Sequence, residues 1–146
     1  MNSGLFVQVD RHQRISTWIS IITQMSSYIN KWYVDCLDCL NETKLTSTSY
    51  TPAELISILF QKPDIFSARV MGVIPGQPLM HSIHTCDDYL NSNCQCVVLC
   101  VDGIHFEIFA KNQKLLTDLY DRLNNTKVIE LNWIGDDYDG RRDFEV

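Results

Sequence analysis

The sequence predicts an α+β fold: a two-layer sandwich with about four helices on a mixed or antiparallel sheet built around a central hairpin. Three observations carry this. Residues 94–111 hold two β-prone runs, Cys-Gln-Cys-Val-Val-Leu-Cys-Val and Ile-His-Phe-Glu-Ile-Phe-Ala-Lys, separated by Asp102-Gly103, the strongest short-range hairpin signal. Apolar residues recur at helical spacing over 15–29 and again over 115–123. Helix-like and strand-like stretches alternate in the order β-α-β-α-β-α-β-β-α-β, without internal repeats or domain linkers, so residues 1–146 form one domain.

The elements follow in chain order. Leu5-Phe6-Val7-Gln8-Val9 reads as a first strand. Ile15, Trp18, Ile19, Ile22, Met25 and Ile29 form one stripe of an amphipathic helix over 15–29. Residues 32–40 alternate as a strand, with Trp32, Val34 and Cys36 on one side, and 41–50 is a Ser/Thr-rich loop. Thr51-Pro52-Ala53-Glu54 is a capping box with proline at the first helical position; it opens a helix to Gln61 that Pro63 stops. Residues 65–74 are β-prone and end at Pro75-Gly76. A loop over 75–84 leads to a short helix over 85–90 capped by Thr85. Asn112 caps the helix that carries Leu115, Leu116, Leu119, Tyr120 and Leu123. Residues 127–134 alternate as a strand, and 144–146 form a last short one.

A two-residue hairpin turn sets Val101 opposite Ile104, Leu99 opposite Phe106 and Val97 opposite Ile108. That face is apolar and is expected to meet the helices. The other face carries Cys94, Cys96, Val98, Cys100, His105, Glu107, Phe109 and Lys111. In this register Cys100 and His105 are direct cross-strand neighbours.

Composition narrows the function classes. The net charge of −6, from 18 acidic and 12 basic residues, argues against direct nucleic-acid binding, which needs a basic footprint, and suits an acidic surface that meets a basic partner protein. The start lacks the basic and apolar regions of a signal peptide, and no apolar run reaches membrane-span length. The expectation is a cytoplasmic protein that does not enter a membrane. Its six cysteines are then reduced thiols.

Residues 88–102 (Asp-Tyr-Leu-Asn-Ser-Asn-Cys-Gln-Cys-Val-Val-Leu-Cys-Val-Asp), 109–120 (Phe-Ala-Lys-Asn-Gln-Lys-Leu-Leu-Thr-Asp-Leu-Tyr) and the ending around Asp136, Asp137, Tyr138 and Asp139 resemble a family of small bacterial proteins, domain of unknown function number 2691. The resemblance covers mainly about the last 60 residues. It implies a small stand-alone bacterial or phage protein and supplies no catalytic residue. Cys36 and Cys39 do not fit its pattern.

Each chemical motif has a plainer alternative. Cys36-Leu-Asp-Cys39 with Cys94 and Cys96 has the residue types of a zinc site, but CxxC within a strand sends its thiols to opposite faces, and reduced packing cysteines are the better reading. Cys100 with His105 offers a nucleophile and a base, or, together with Cys96 on the same face, three metal ligands that His81 or His84 would complete; the plainer reading is small apolar residues beside a surface histidine. Asp136-Asp137-Tyr138-Asp139-Gly140 lacks the spacing of a calcium loop. No catalytic residue, metal or cofactor is assigned.

Three functional readings remain open. The first is a non-enzymatic binding or inhibitor protein of the toxin-immunity or anti-defence kind. Its docking surface is Asp136, Asp137, Tyr138 and Asp139, with Asp87, Asp88 and Tyr89 second. The second is a small-molecule or nucleotide-signal binder using Arg69, His81, His84, Cys100 and His105. The third is a small Cys/His or zinc-dependent enzyme.

Overall fold

In a computed structural model the protein is described over residues 2–37, 49–61, 67–74, 79, 83–135 and 144. In order come β1 (Asn2–Gln8), a single 3-10 turn (Arg11–Gln13), α1 (Arg14–Met25), β2 (Lys31–Leu37), β3 (Ser49–Tyr50), α2 (Pro52–Gln61), β4 (Ala68–Val73), α3 (Cys86–Leu90), β5 (Cys94–Val101), β6 (His105–Ala110), α4 (Gln113–Asn124) and β7 (Glu130–Gly135). The seven strands form one sheet in the order β3-β2-β4-β5-β6-β1-β7. Every neighbouring pair is antiparallel. The fold is α+β.

The predicted caps form with their expected chemistry. The Thr51 hydroxyl accepts the Glu54 N–H at 3.2 Å, and the Glu54 carboxylate accepts the Thr51 N–H at 3.0 Å. Those bonds hold the Glu54 carboxyl below its ordinary range. Thr85 and Asp88 make the same reciprocal pair at the start of α3, and Asn112 accepts the Lys114 N–H at 3.0 Å. α1 stops at Met25, earlier than its apolar stripe predicts. Ile29 still completes the stripe: its N–H reaches the Met25 carbonyl at 2.8 Å through a turn, and its side chain is fully buried.

Helices α1, α2 and α4 cover one face of the sheet, with α1 in contact with the other two. Their apolar stripes meet Leu5, Val7, Trp32, Val34, Ala68, Val70, Cys96, Val98, Cys100, Phe106 and Ile108 in the main core. Trp18 meets Phe106 edge to face at 5.2 Å, and Trp32 lies over Gly72. A methyl group at Gly72 would come within 2.5 Å of Ile29 Cγ2, so close approach of the strand to Ile29 and Trp32 requires glycine there.

The central hairpin differs from the expected register by one residue. Asp102 and Gly103 take positive φ (56° and 74°), the signature of a type I′ turn. The Ile104 N–H reaches the Val101 carbonyl at 3.4 Å, as a two-residue turn requires. Ile104 then gives its carbonyl to the Val9 N–H at 2.9 Å, and the ladder resumes with Val101 opposite His105. Ile104 is thus an extra residue, and one extra residue exchanges the faces. Cys96, Val98 and Cys100 share the helix-covered face with Ala110, Ile108 and Phe106. Val97 and Leu99 lie on the opposite face with Phe109 and Glu107. The expected face joining Val97 and Leu99 to Phe106 and Ile108 does not form, and Cys100 and His105 sit on opposite sides of the sheet.

Both faces of β5 are buried. A second cluster on the side away from the three helices joins Met71, Val97, Leu99 and Phe109 to Ile83, Cys86 and Tyr89 of the α3 region and to Phe144. A shift in the β4–β5 pairing between Gly72/Cys96 and Val73/Cys94 leaves Gln95 unpaired with β4 and turns Cys94 into this second cluster. Among the described residues, α3 and Phe144 cover the middle of the sheet on this side, and Phe6, Gln8 and His105 on its β6-β1 side are only half-buried.

Candidate functional site

The second face is the part of the molecule where polar and aromatic side chains gather. Read across β4, β5, β6, β1 and β7, one row of residues is Arg69, Leu99, Glu107, Phe6 and Asn132. The row beside it, across β5, β6, β1 and β7, is Val101, His105, Gln8 and Glu130. Arg69, Glu107, Phe6, His105 and Gln8 are half-buried, whereas Asn132 and Glu130 are exposed. Phe6 stacks on the His105 ring with centroids 5.9 Å apart. Asn132 donates to the Glu130 carboxylate at 2.6 Å. The rows make a surface of mixed polar and aromatic side chains.

At its β4 end this face is closed by Phe144, which is fully buried. Its ring stacks on Phe109 at 5.0 Å and meets Tyr89 at 6.2 Å. Its N–H donates to the His84 carbonyl at 2.8 Å, and its own carbonyl accepts from the Arg69 guanidinium at 2.9 Å. Arg69 and His84, both predicted as ligand contacts, thus converge on the chain's own backbone. Sequence reasoning missed Phe144 as a residue of weight. Its one signal was a lone large apolar residue after a polar run.

Asp87, Asp88 and Tyr89 separate in role. Asp87 is exposed. Asp88 accepts the His84 N–H at 2.9 Å and the Thr85 N–H at 3.1 Å; the His84 bond is the main cause that holds its carboxyl below the ordinary range, and burial opposes it. Its charge serves the cap. Tyr89 is 3 % exposed, so it offers no surface to a partner in this conformation. Its hydroxyl donates to the Gln95 carbonyl at 3.4 Å, and the Lys111 ammonium sits 5.1 Å from its ring centroid. Lys111 also donates to the Ser92 carbonyl at 2.6 Å. Burial lowers its affinity for a proton.

Cys94, Cys96 and Cys100 are free, buried thiols, and Cys86 is buried as well. Burial pushes Cys94 and Cys100 up to about 12 and Cys96 well above the usual thiol range. A protonated thiol is a poor nucleophile and a poor metal ligand. Cys100, set against the main core, also lacks the His105 neighbour expected of it. Among the described residues no three His, Cys, Asp or Glu side chains converge on a metal-sized site, and no helix is long and apolar enough to cross a membrane.

His81, Cys39, Asp136, Asp137, Tyr138 and Asp139 lie outside the described residues, as does the side chain of Cys36. The residues that flank the acidic run are described. Gly135 ends β7 opposite Asn2, and Phe144 is held as above. Elsewhere, Tyr50 and the outer side of α2 line a shallow depression of about 460 Å³ with Ala53, Glu54, Ser57 and Ile58; among the described residues, none of the predicted site residues lines it.

The family described as Protein of unknown function (DUF2691) matches residues 73–145, half of the 146-residue chain. The chain belongs to that family. The match bears out the resemblance read from 88–102, 109–120 and 136–139. In DUF2691 terms the matched span begins at Val73, the last residue of β4, and includes α3, the hairpin, α4, β7 and Phe144. Arg69 and all of β1 and α1 lie before it. No curated protein and no solved structure matches the chain.

Proposed function

We infer that this DUF2691 protein is a binding protein that docks an acidic surface on a basic partner protein. The surface centres on Asp136, Asp137, Tyr138 and Asp139, with Asp87 second. The observation that carries the reading is the double anchorage of the residues flanking the acidic run. Gly135 is fixed by the β1–β7 ladder. Phe144 is fixed by a buried ring, the His84 carbonyl and the Arg69 guanidinium. A segment held at both ends has less freedom to lose on binding than a free tail. Phe144 also ties the end of that segment to the flank of α3, the helix that carries exposed Asp87.

The chemistry is long-range steering by a net charge of −6, followed by contact through Tyr138. The class of partner that fits is a protein with a basic surface. An inhibitor of the toxin-immunity or anti-defence kind, in a bacterium or phage, is the form of such a protein that we favour. The test replaces Asp136, Asp137 and Asp139 together by Asn. Partner affinity is expected to fall and its salt dependence to flatten; unchanged affinity and salt dependence overturn the reading.

A further inference from the structure

A strand at the end of a sheet presents a row of backbone donors and acceptors to whatever lies beyond it. β7 holds that position among the described residues. The register shows which of its groups face out. The Val9 N–H donates to Ile104 on the β6 side. Backbone groups alternate, so Val7 and Leu5 also turn toward β6, while Phe6 and Gln8 turn toward β7. Their partners Asn132 and Glu130 therefore turn inward. Leu131 and Trp133 present N–H and C=O outward.

Among the described residues this edge lacks the sequence guards of proline and lysine. Residues 130–135 contain no Pro and no Lys, and their one charge is Glu130 at the start. Ile129 just before it is 63 % exposed. On the helix-covered face Trp133 stacks on Tyr120 at 5.0 Å, and Trp133, Leu131 and Tyr120 are each only half-buried.

We propose that β7 pairs with β7 of a second copy of this chain, antiparallel about a two-fold axis through Asn132. This register uses the outward groups: Leu131 of each copy forms the hydrogen-bonded pair with Trp133 of the other. Two Leu–Trp pairs then extend the main core across the axis, next to Tyr120. The copies' Asn132 side chains meet on the other face, and each Glu130 lies opposite Ile134. Moving the axis to Glu130 would set two carboxylates face to face, which opposes pairing. The two sheets join into one, with the helices of both copies on the same side, and the apolar rim at Trp133 is covered.

Analytical ultracentrifugation of the full chain tests this. The wild type is expected to be a dimer at about 100 µM. Asn132 is exposed, so Asn132→Glu leaves the fold intact, as near-ultraviolet circular dichroism checks. It sets two carboxylates against each other at the axis and weakens the dimer about tenfold or more. An equimolar mixture of Asn132→Glu and Asn132→Lys restores pairing as a mixed dimer. Amide exchange of the wild type supplies a reading without substitution: the Leu131 and Trp133 amides slow with rising concentration, and the Asn132 amide, already bonded to β1, does not. A monomeric wild type at that concentration, a dimer indifferent to Asn132→Glu, or exchange at Leu131 and Trp133 independent of concentration each overturns the proposal.

Discussion

Phe144→Ala removes the side chain that joins the end of the chain to the second face of the sheet. The ring is fully buried, so its loss returns about 1.5–3 kcal/mol of apolar transfer free energy. The stack on Phe109 and the contact with Tyr89 add about 0.5–1.5 kcal/mol. The neighbours Met71, Val97 and Leu99 belong to central strands and cannot collapse into the space. The sum is about 3 kcal/mol, at the lower end of the range for deleting a buried Phe. For a domain of this size that corresponds to a melting point lower by roughly 6–12 °C. Urea unfolding followed by tryptophan fluorescence measures it, because Trp18 and Trp32 lie in the main core and report global unfolding. Phe144→Leu should recover more than half of the loss. A change below about 1 kcal/mol in the Ala variant would mean that the second cluster does not depend on Phe144.

Two further predictions rest on titratable groups. The Asp88 carboxyl titrates below its ordinary range because it accepts the His84 and Thr85 N–H groups. The stabilisation is therefore complete above the unfolded value of about 3.9 and is lost as pH falls through the lower folded value. Acid unfolding curves of the wild type and Asp88→Asn should converge in that window and separate above it; parallel curves would contradict the assignment. Burial pushes the Cys94 and Cys100 thiols up to about 12 and Cys96 higher, so iodoacetamide at neutral pH should label these three only as fast as the chain unfolds. Peptide mapping by mass spectrometry reads this, and rapid labelling of the native protein would contradict it.

The helix starts were legible in the sequence because capping is local. Thr51 with Glu54, Thr85 with Asp88, and Asn112 each supply an oxygen to the first turn of the helix that they precede. The Asp102-Gly103 turn was legible for the same reason. The hairpin register was not, because it depends on Val9 from the far end of the chain, which takes the Ile104 carbonyl and makes Ile104 the extra residue. Nor could the second buried face be read from β5 alone: nearly every residue of β5 is apolar or Cys, and a strand buried on both sides lacks the alternation that reveals register. The burial of Tyr89 was not legible for a related reason. α3 is five residues long, too short for periodicity to separate its inner side from its outer one, and Tyr89 falls on the inner side. Arg69 and His84 stand out by residue type, but their common partner, the Phe144 backbone, is set by tertiary contact.

The acidic run between Gly135 and Phe144 is proposed to bind a basic partner protein. The most direct measurement uses the wild type and the Asp136→Asn, Asp137→Asn, Asp139→Asn triple variant side by side as baits in lysate of the native host. The captured protein is identified by mass spectrometry, and its affinity for each bait is then measured across a salt series. The expected result is a basic protein held by the wild type and bound about tenfold or more weakly by the triple variant, with a flatter salt dependence. A partner that binds both baits equally at every salt concentration would contradict it.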